Sequence, residues 1–264
     1  MMELPETEGV VAMKRWICLL LMLFLCAVCA VAAAETAPEV LTSGDWKYVL
    51  LEDGTAELTG YTGTETALTI PAELNGSAVS RIGSYALYQN EKLQTLIIPE
   101  GVTDIAPWAF GGCNALRSVS LPQGLTTVGE GTFAYCIDLR EVVLPDSVTA
   151  LGNGAFGNCI MLTDVVLSAG LTEISAVAFY GCSSLTGILV PAGVTTIGEG
   201  AFYGCRSLRS AALPASVTAI GENAFAQCGV DLLVTVEPGS YAAAWCDEMH
   251  HHHRFTAVDG KDGE

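Results

Sequence analysis

Histidine is nearly missing from this chain of 264 residues, and the four present stand together as His250, His251, His252 and His253. A Ser-His-Asp or Cys-His centre would have to draw on that single run. Positive charge is also sparse: 11 Lys and Arg face 29 Asp and Glu, for a net charge of −18. Neutralising a phosphate backbone takes clustered bases. None cluster here, which argues against nucleic acid and against an anionic lipid surface as partners. The acids are scattered, forming neither a facing catalytic pair nor a calcium loop. Long apolar runs are limited to one, Trp16 to Val31. Past it the chain offers no stretch of membrane-spanning length.

That run has recognisable flanks. Lys14 and Arg15 precede it, and Ala32-Ala33-Ala34 follow it ahead of Glu35. A basic stretch, an apolar centre and small residues make the pattern of a secretory signal peptide. At about 16 residues the run is short for a span, which takes roughly 20. Cleavage after Ala34 is therefore expected over a retained anchor. Glu3, Glu6 and Glu8 sit oddly upstream, which makes Met13 a candidate start. Leu25 and Val28, rather than small residues, precede Cys26 and Cys29 and disfavour lipidation there. The expected destination is secretion or the cell surface.

What is plentiful is repetition at a fixed interval of 23 residues. Phenylalanine recurs at Phe110, Phe133, Phe156, Phe179, Phe202 and Phe225, and cysteine at Cys113, Cys136, Cys159, Cys182, Cys205 and Cys228. Proline recurs at Pro99, Pro122, Pro145, Pro191 and Pro214, with Ser168 in the one gap. Such a period marks a repeat architecture, in which one coil cannot bury its own apolar face but a stack can. Count each proline as zero. Position minus 6 is always Leu, from Leu93 to Leu208, and minus 3 and minus 1 are apolar. Two residues apart, they share one face of a strand. Plus 4 is always Thr. Plus 7 is small, and Gly129, Gly152, Gly198 and Gly221 are expected there as tight-turn residues, with Ala106 and Ser175 as departures. Ala-Phe or Thr-Phe at plus 10 and plus 11 predicts a short helical piece ending near the cysteine.

The ends differ from the middle. Residues 1–34 read as the signal peptide, 35–67 as a leader and cap, 68–228 as repeats, and 229–264 as a second cap and tail. Trp46 to Glu52 and Thr55 to Tyr61 flank Asp53-Gly54, a strong hairpin signal. The first coil, 68–90, is degenerate, with Leu87 for phenylalanine, Asn90 for cysteine and five extra residues expected to loop out within Glu73 to Ala78. After Cys228 a strand over Leu232 to Val236, a helix N-capped by Ser240 and reaching about Met249, and a strand over Phe255 to Val258 are expected.

Three groups of residues could carry function. The evenly spaced cysteines read as a ladder of buried thiols rather than the disulfides an exported protein would suggest. Cys246 and Asp247 with His250 to His253 could hold a soft divalent metal, against which stands a solvated turn before the last strand. Asn75-Gly76-Ser77 matches a glycosylation sequon. The third group is the outward face of the strand column. Minus 2 supplies Ile97, Ser120, Val143, Val166 and Leu189, and minus 4 supplies Glu141 and Asp164. An apolar centre beside carboxylates suits an interaction patch, although Val and Ile suit any strand.

Together, Leu-x-x-[Leu/Val/Ile]-x-[Leu/Ile/Val]-Pro, then Val-Thr-x-Ile-Gly, then Ala-Phe-x-x-Cys, repeated over about residues 45–258, resemble the BspA-like leucine-rich repeats of bacterial surface and secreted proteins. The resemblance implies an α+β solenoid, a right-handed leucine-rich repeat stack of about seven 23-residue coils. It would carry an N-terminal β-hairpin cap and a C-terminal strand-helix-strand cap. It implies a non-catalytic, monomeric binding or adhesion module without cofactor, whose ligand is a protein or glycan, host-surface ligands included. The motif residues are structural, so no binding residue carries over. The alternative is an exported metal-binding protein using the histidine run.

Overall fold

The computed structural model describes residues 38–248 and 253–255. The expected signal peptide, His250 to His252 and the tail lie outside the described residues. Two columns of short parallel strands run along a solenoid. The first holds Ala67–Thr69, Thr95–Ile97, Ser118–Ser120, Glu141–Val143, Asp164–Val166, Gly187–Leu189, Ser210–Ala212 and Leu233–Val236, and closes with His253–Phe255. The column is divided into three sheets, within which repeat strands pair one period apart, as in Thr95 with Ser118 and Leu96 with Val119. The second column consists of two-residue strands such as Asp104–Ile105, Thr127–Val128 and Ala150–Leu151. It was not expected, because two residues are too few to show alternation. Its inward member is buried at Ile105, Val128, Leu151, Ile174 and Ile197.

The caps grow out of these columns. Trp46–Leu50 and Ala56–Tyr61 form the expected antiparallel hairpin. Ala56–Tyr61 then pairs parallel with Ser77–Ile82, so the cap extends the second column. The leader is not wholly irregular: Leu41–Ser43 pairs antiparallel with Trp46–Leu50, turned by Gly44 at φ 58. The five-residue insertion also corrects expectation. Glu73–Leu74 pairs antiparallel with Ser77–Ile82 across Asn75 and Gly76, at φ 49 and φ 88. Positive φ at both centres is what a tight Asn-Gly hairpin turn needs. Asn75 Nδ2 donates to Thr42 O at 3.1 Å and to Tyr48 Oη at 3.0 Å, so the sequon nitrogen is committed to joining this hairpin to the cap.

The core is a set of ladders. The six phenylalanine rings are fully buried or nearly so and stack in series, with centroids 5.3, 5.4, 5.6, 5.5 and 5.1 Å apart. Interplanar angles fall to 3° at Phe156–Phe179. At the far end Trp245 tilts onto Phe225 at 5.7 Å. Trp245 belongs to the helix Tyr241–Glu248, whose Ala243 N donates to Ser240 Oγ at 3.2 Å. The cap helix thus closes the spine, as an open solenoid end requires. The last strand begins earlier than Phe255, because Val236 pairs with Phe255 and Val234 with His253.

Two expectations inside the coil fail for one reason, the closeness of neighbouring coils. No short helix forms before the cysteine. Ala109 N donates locally to Ala106 O at 3.4 Å, while Phe110 N donates forward to Thr132 O at 3.0 Å. Alternate amides are spent on the next coil, so an α-helical ladder cannot propagate. Nor are the plus 7 glycines in left-handed conformation. They are small because the coils touch there: a Cβ on Gly152 would lie 2.3 Å from Glu130 N, and one on Gly198 would lie 2.5 Å from Ala176 N. Where serine replaces glycine, the Ser175 hydroxyl donates to Leu151 O, and the second column is interrupted between Ala150–Leu151 and Glu173–Ile174. That is the irregularity expected near Ser168 and Ser175. The invariant threonines also look across coils, as in Thr126 Oγ1 to Thr103 O at 2.9 Å.

Candidate binding surfaces

The strand alternation places the expected outward column as the pattern requires. Val142 and Ile188 are buried, whereas Ile97 is 44% exposed, Val143 61%, Val166 56% and Leu189 71%. Ser120, Glu141 and Asp164 are exposed as well. Parallel pairing sets Glu141 opposite Asp164 and Val143 opposite Val166, so two aliphatics sit beside two carboxylates on one small sheet. Leu189 belongs to the neighbouring sheet, where it pairs with Ala212. Like charges directly opposite are unfavourable in a sheet, a local cost that the fold itself does not need.

The cysteines are free and inward. Each repeat thiol donates to the carbonyl 26 residues earlier, as in Cys159 Sγ to Phe133 O and Cys182 Sγ to Phe156 O, both at 3.1 Å. Burial pushes the Cys113 and Cys182 thiols up to about 12, far from the thiolate that nucleophilic or metal chemistry needs. Cys246 is buried too, and burial with the nearby Asp247 carboxylate raises its thiol to about 11. The proposed Cys246 ligand therefore faces the core of the cap. Among the described residues no group of three or more His, Cys, Asp and Glu is placed to hold a metal ion.

A second surface escaped the sequence reading. Every coil turns twice through left-handed backbone, at plus 9 and plus 13. Glycine fills many of these places, including Gly131, Gly154, Gly181, Gly200 and Gly204. Side chains fill others: Trp108 at φ 59, Tyr135 at φ 60, Asn158 at φ 59 and Val177 at φ 50. A residue with a Cβ pays roughly 1–2 kcal/mol there, and a β-branched or bulky one is a true outlier. These four border a groove of about 320 Å³ that also takes in Glu130, Asn153 and Tyr180. Gly131, Ala134, Gly154 and Gly157 are its small residues. The Trp108 indole lies against Gly131, where a Cβ would meet its Cε2 at 2.5 Å. Aromatics continue outward on both sides. Tyr88 packs edge-on to Trp108 at 6.2 Å, and Tyr203 stacks on Tyr180 at 5.2 Å and 3°. The available clue was aromatic residues at variable positions of the repeat, where core packing does not call for them.

No helix among the described residues is long and apolar enough to cross a membrane. Among curated proteins, none matches the sequence. Solved structures do. A leucine-rich repeat protein from T. pallidum is 26% identical with a TM-score of 0.68, over 83% of this chain and 100% of that one. One from Bacteroides ovatus is 21% identical with a TM-score of 0.43, over 74% of this chain and 70% of that one. One from Bacteroides capillosus is 30% identical with a TM-score of 0.44, over 48% of this chain and 96% of that one. The BspA type leucine-rich repeat region matches in 6 copies, over residues 68–163 and 110–231. With the phenylalanine and cysteine ladders in phase through those same residues, the chain belongs to the BspA-type leucine-rich repeat family.

Proposed function

We propose that this chain is an exported, non-catalytic recognition module that holds a protein or glycan partner on the outer face of its first strand column. The observation that carries the reading is the register of Val143 with Val166 beside Glu141 with Asp164. Both aliphatics are more than half exposed, and Leu189 extends the patch into the next coil. Strand propensity accounts for Val at these sites. It does not account for an apolar strip flanked by paired carboxylates, the usual make-up of an interaction patch. The thiols are protonated and inward and the acids are dispersed, which leaves no convergent catalytic group among the described residues.

The test is direct because the three side chains point away from the core. Val143→Lys, Val166→Lys and Leu189→Lys are combined in the chain from Glu35 onward. Binding is measured to host-surface proteins and glycans captured by the unaltered chain. The circular dichroism spectrum should be kept and affinity lost. Unchanged affinity in a folded triple variant removes the strand column from the function. Sequencing the N-terminus of exported material checks the companion expectation of a start at Glu35; Met1 or Met13 there would overturn it.

A further inference from the structure

We infer that the groove between Trp108 and Tyr180 is a saccharide site that takes a short stretch of uncharged pyranose glycan laid along the solenoid axis. It lies on the turns of the coil rather than on the strand column, and it stands or falls independently of that surface.

Shape comes first. The small residues Gly131 and Gly154 occupy two successive coils, with Trp108 in the coil before them and Val177 and Tyr180 in the coil after. Coils joined by strand pairing stack about 4.8 Å apart, so the two walls stem from coils about 14 Å apart by the same spacing. That is an elongated trough, too long for a single cation or one apolar side chain and suited to successive sugar rings. Its volume of about 320 Å³ sits at the small end of ligand pockets, roughly 300–1,000 Å³.

Chemistry narrows the occupant. A pyranose presents an apolar face of C–H groups and a rim of hydroxyls. Trp108, Tyr135 and Tyr180 supply rigid aromatic faces for the first. Asn153 and Asn158 supply amide donors and acceptors, and Glu130 supplies carboxylate acceptors, for the second. Among the described residues none of these three polar side chains has a hydrogen-bond partner. A purely apolar ligand would cover them unpaired, at a cost. Charge removes the acidic glycans: among the described residues no Lys or Arg lines the trough, and the chain carries −18. Finally, Trp108, Tyr135 and Asn158 stand in left-handed backbone that one adjacent coil fills with glycine, at Gly131, Gly112 and Gly181 respectively. Tyr135 is 50% exposed, so burial does not repay its placement, and strained side chains of this kind gather at binding sites.

The experiment titrates the folded chain with cello-, xylo-, manno- and galacto-oligosaccharides, with a sialylated oligosaccharide and tetramethylammonium for comparison, by calorimetry and by the Trp108 indole resonance. At least one uncharged oligosaccharide is expected to bind and to move that resonance. Trp108→Gly should lose roughly tenfold or more in affinity, as aromatic anchors do, while keeping the fold, because glycine is at home in that backbone. Asn153→Ala, which leaves the walls intact, should weaken binding as well. The combined lysine variant of the strand column should bind the sugar as before. The inference is overturned if no uncharged oligosaccharide moves the resonance at about 10 mM, a concentration that would reveal even millimolar affinity. It is equally overturned if tetramethylammonium or the sialylated chain is preferred, or if Trp108→Gly binds like the parent.

Discussion

Alkaline pH should dismantle this solenoid through its thiols. Cys113, Cys136, Cys159, Cys182, Cys205 and Cys228 each hand a proton to a carbonyl of the preceding coil at 3.1 to 3.3 Å. Desolvation raises all six, to about 12 at Cys113, Cys182 and Cys228 and well above the ordinary range at Cys136 and Cys159. In the unfolded chain a thiol ionises near about 8.5. Above that pH the unfolded state has released protons that the folded state still holds, so stability falls as pH rises. The contribution is fully present below about 8.5 and drains away as pH climbs toward the raised folded values. At pH 9.5, one unit above the unfolded value, the loss is about 1.4 kcal/mol per thiol. Six thiols make that on the order of 8 kcal/mol, comparable to the whole stability of an ordinary domain, roughly 5–15 kcal/mol. Urea unfolding followed by circular dichroism, under reductant at pH 7.5 and at pH 9.5, measures the drop. Cys159→Ala should be less stable at pH 7.5, since Phe133 O keeps only the Cys136 N–H of its two donors, yet its drop between the two pH values should be smaller by about 1.4 kcal/mol. Equal drops in variant and parent would show that the buried thiols are not what couples this fold to pH.

Two further outcomes bear on the ladders. Phe156→Ala, in the middle of the ring stack, should cost about 3–5 kcal/mol by chemical denaturation, and a loss below about 1 kcal/mol would mean the spine collapses around the gap. Gly152→Ala forces a Cβ to within 2.3 Å of Glu130 N and 2.4 Å of Gly129 C, backbone against backbone, so the coils must part and the melting temperature must fall. At Gly124 a Cβ meets nothing within 4 Å, and Gly124→Ala should be neutral or stabilising by about 0.4–1 kcal/mol. Equal effects of the two glycine changes would refute the close-approach account.

The fold was readable because its rules repeat. Leu93, Leu96, Ile98, Phe110 and Cys113 recur in phase, and each lands in the core. Repetition averages away the ambiguity that a single strand of three residues would carry. Three things were less legible. The plus 7 glycines looked like turn formers because the sequence shows only what a residue lacks, not which backbone lies against it. The supposed helical piece had helical composition, yet its amides are claimed by the next coil, a tertiary demand invisible in any one repeat. The insertion held its hairpin signal openly in Asn75-Gly76, and the structure uses it. The outward column was derivable from alternation alone. The turn-face groove was not, because its residues come from four coils and from four different repeat positions.

That last point bears on where a repeat protein of this kind can vary. A core position answers to neighbours on both sides, so Phe156 is constrained by Phe133 and Phe179 at 5.4 and 5.6 Å. A left-handed turn position answers first to its own backbone, which glycine satisfies at no steric cost. Any other residue there is strained, and Tyr85, Gln89 and Gln227 carry that strain outside the groove. Asn223 is strained little, since asparagine tolerates this backbone. Trp108 and Val177 do not tolerate it, and both face the same groove. Trp108 and Val177 stand in coils three periods apart and meet at one trough floored by glycine, where either could be glycine without backbone strain. On the proposed saccharide site, stacking fixes the repeated letters and recognition uses positions that stacking leaves free.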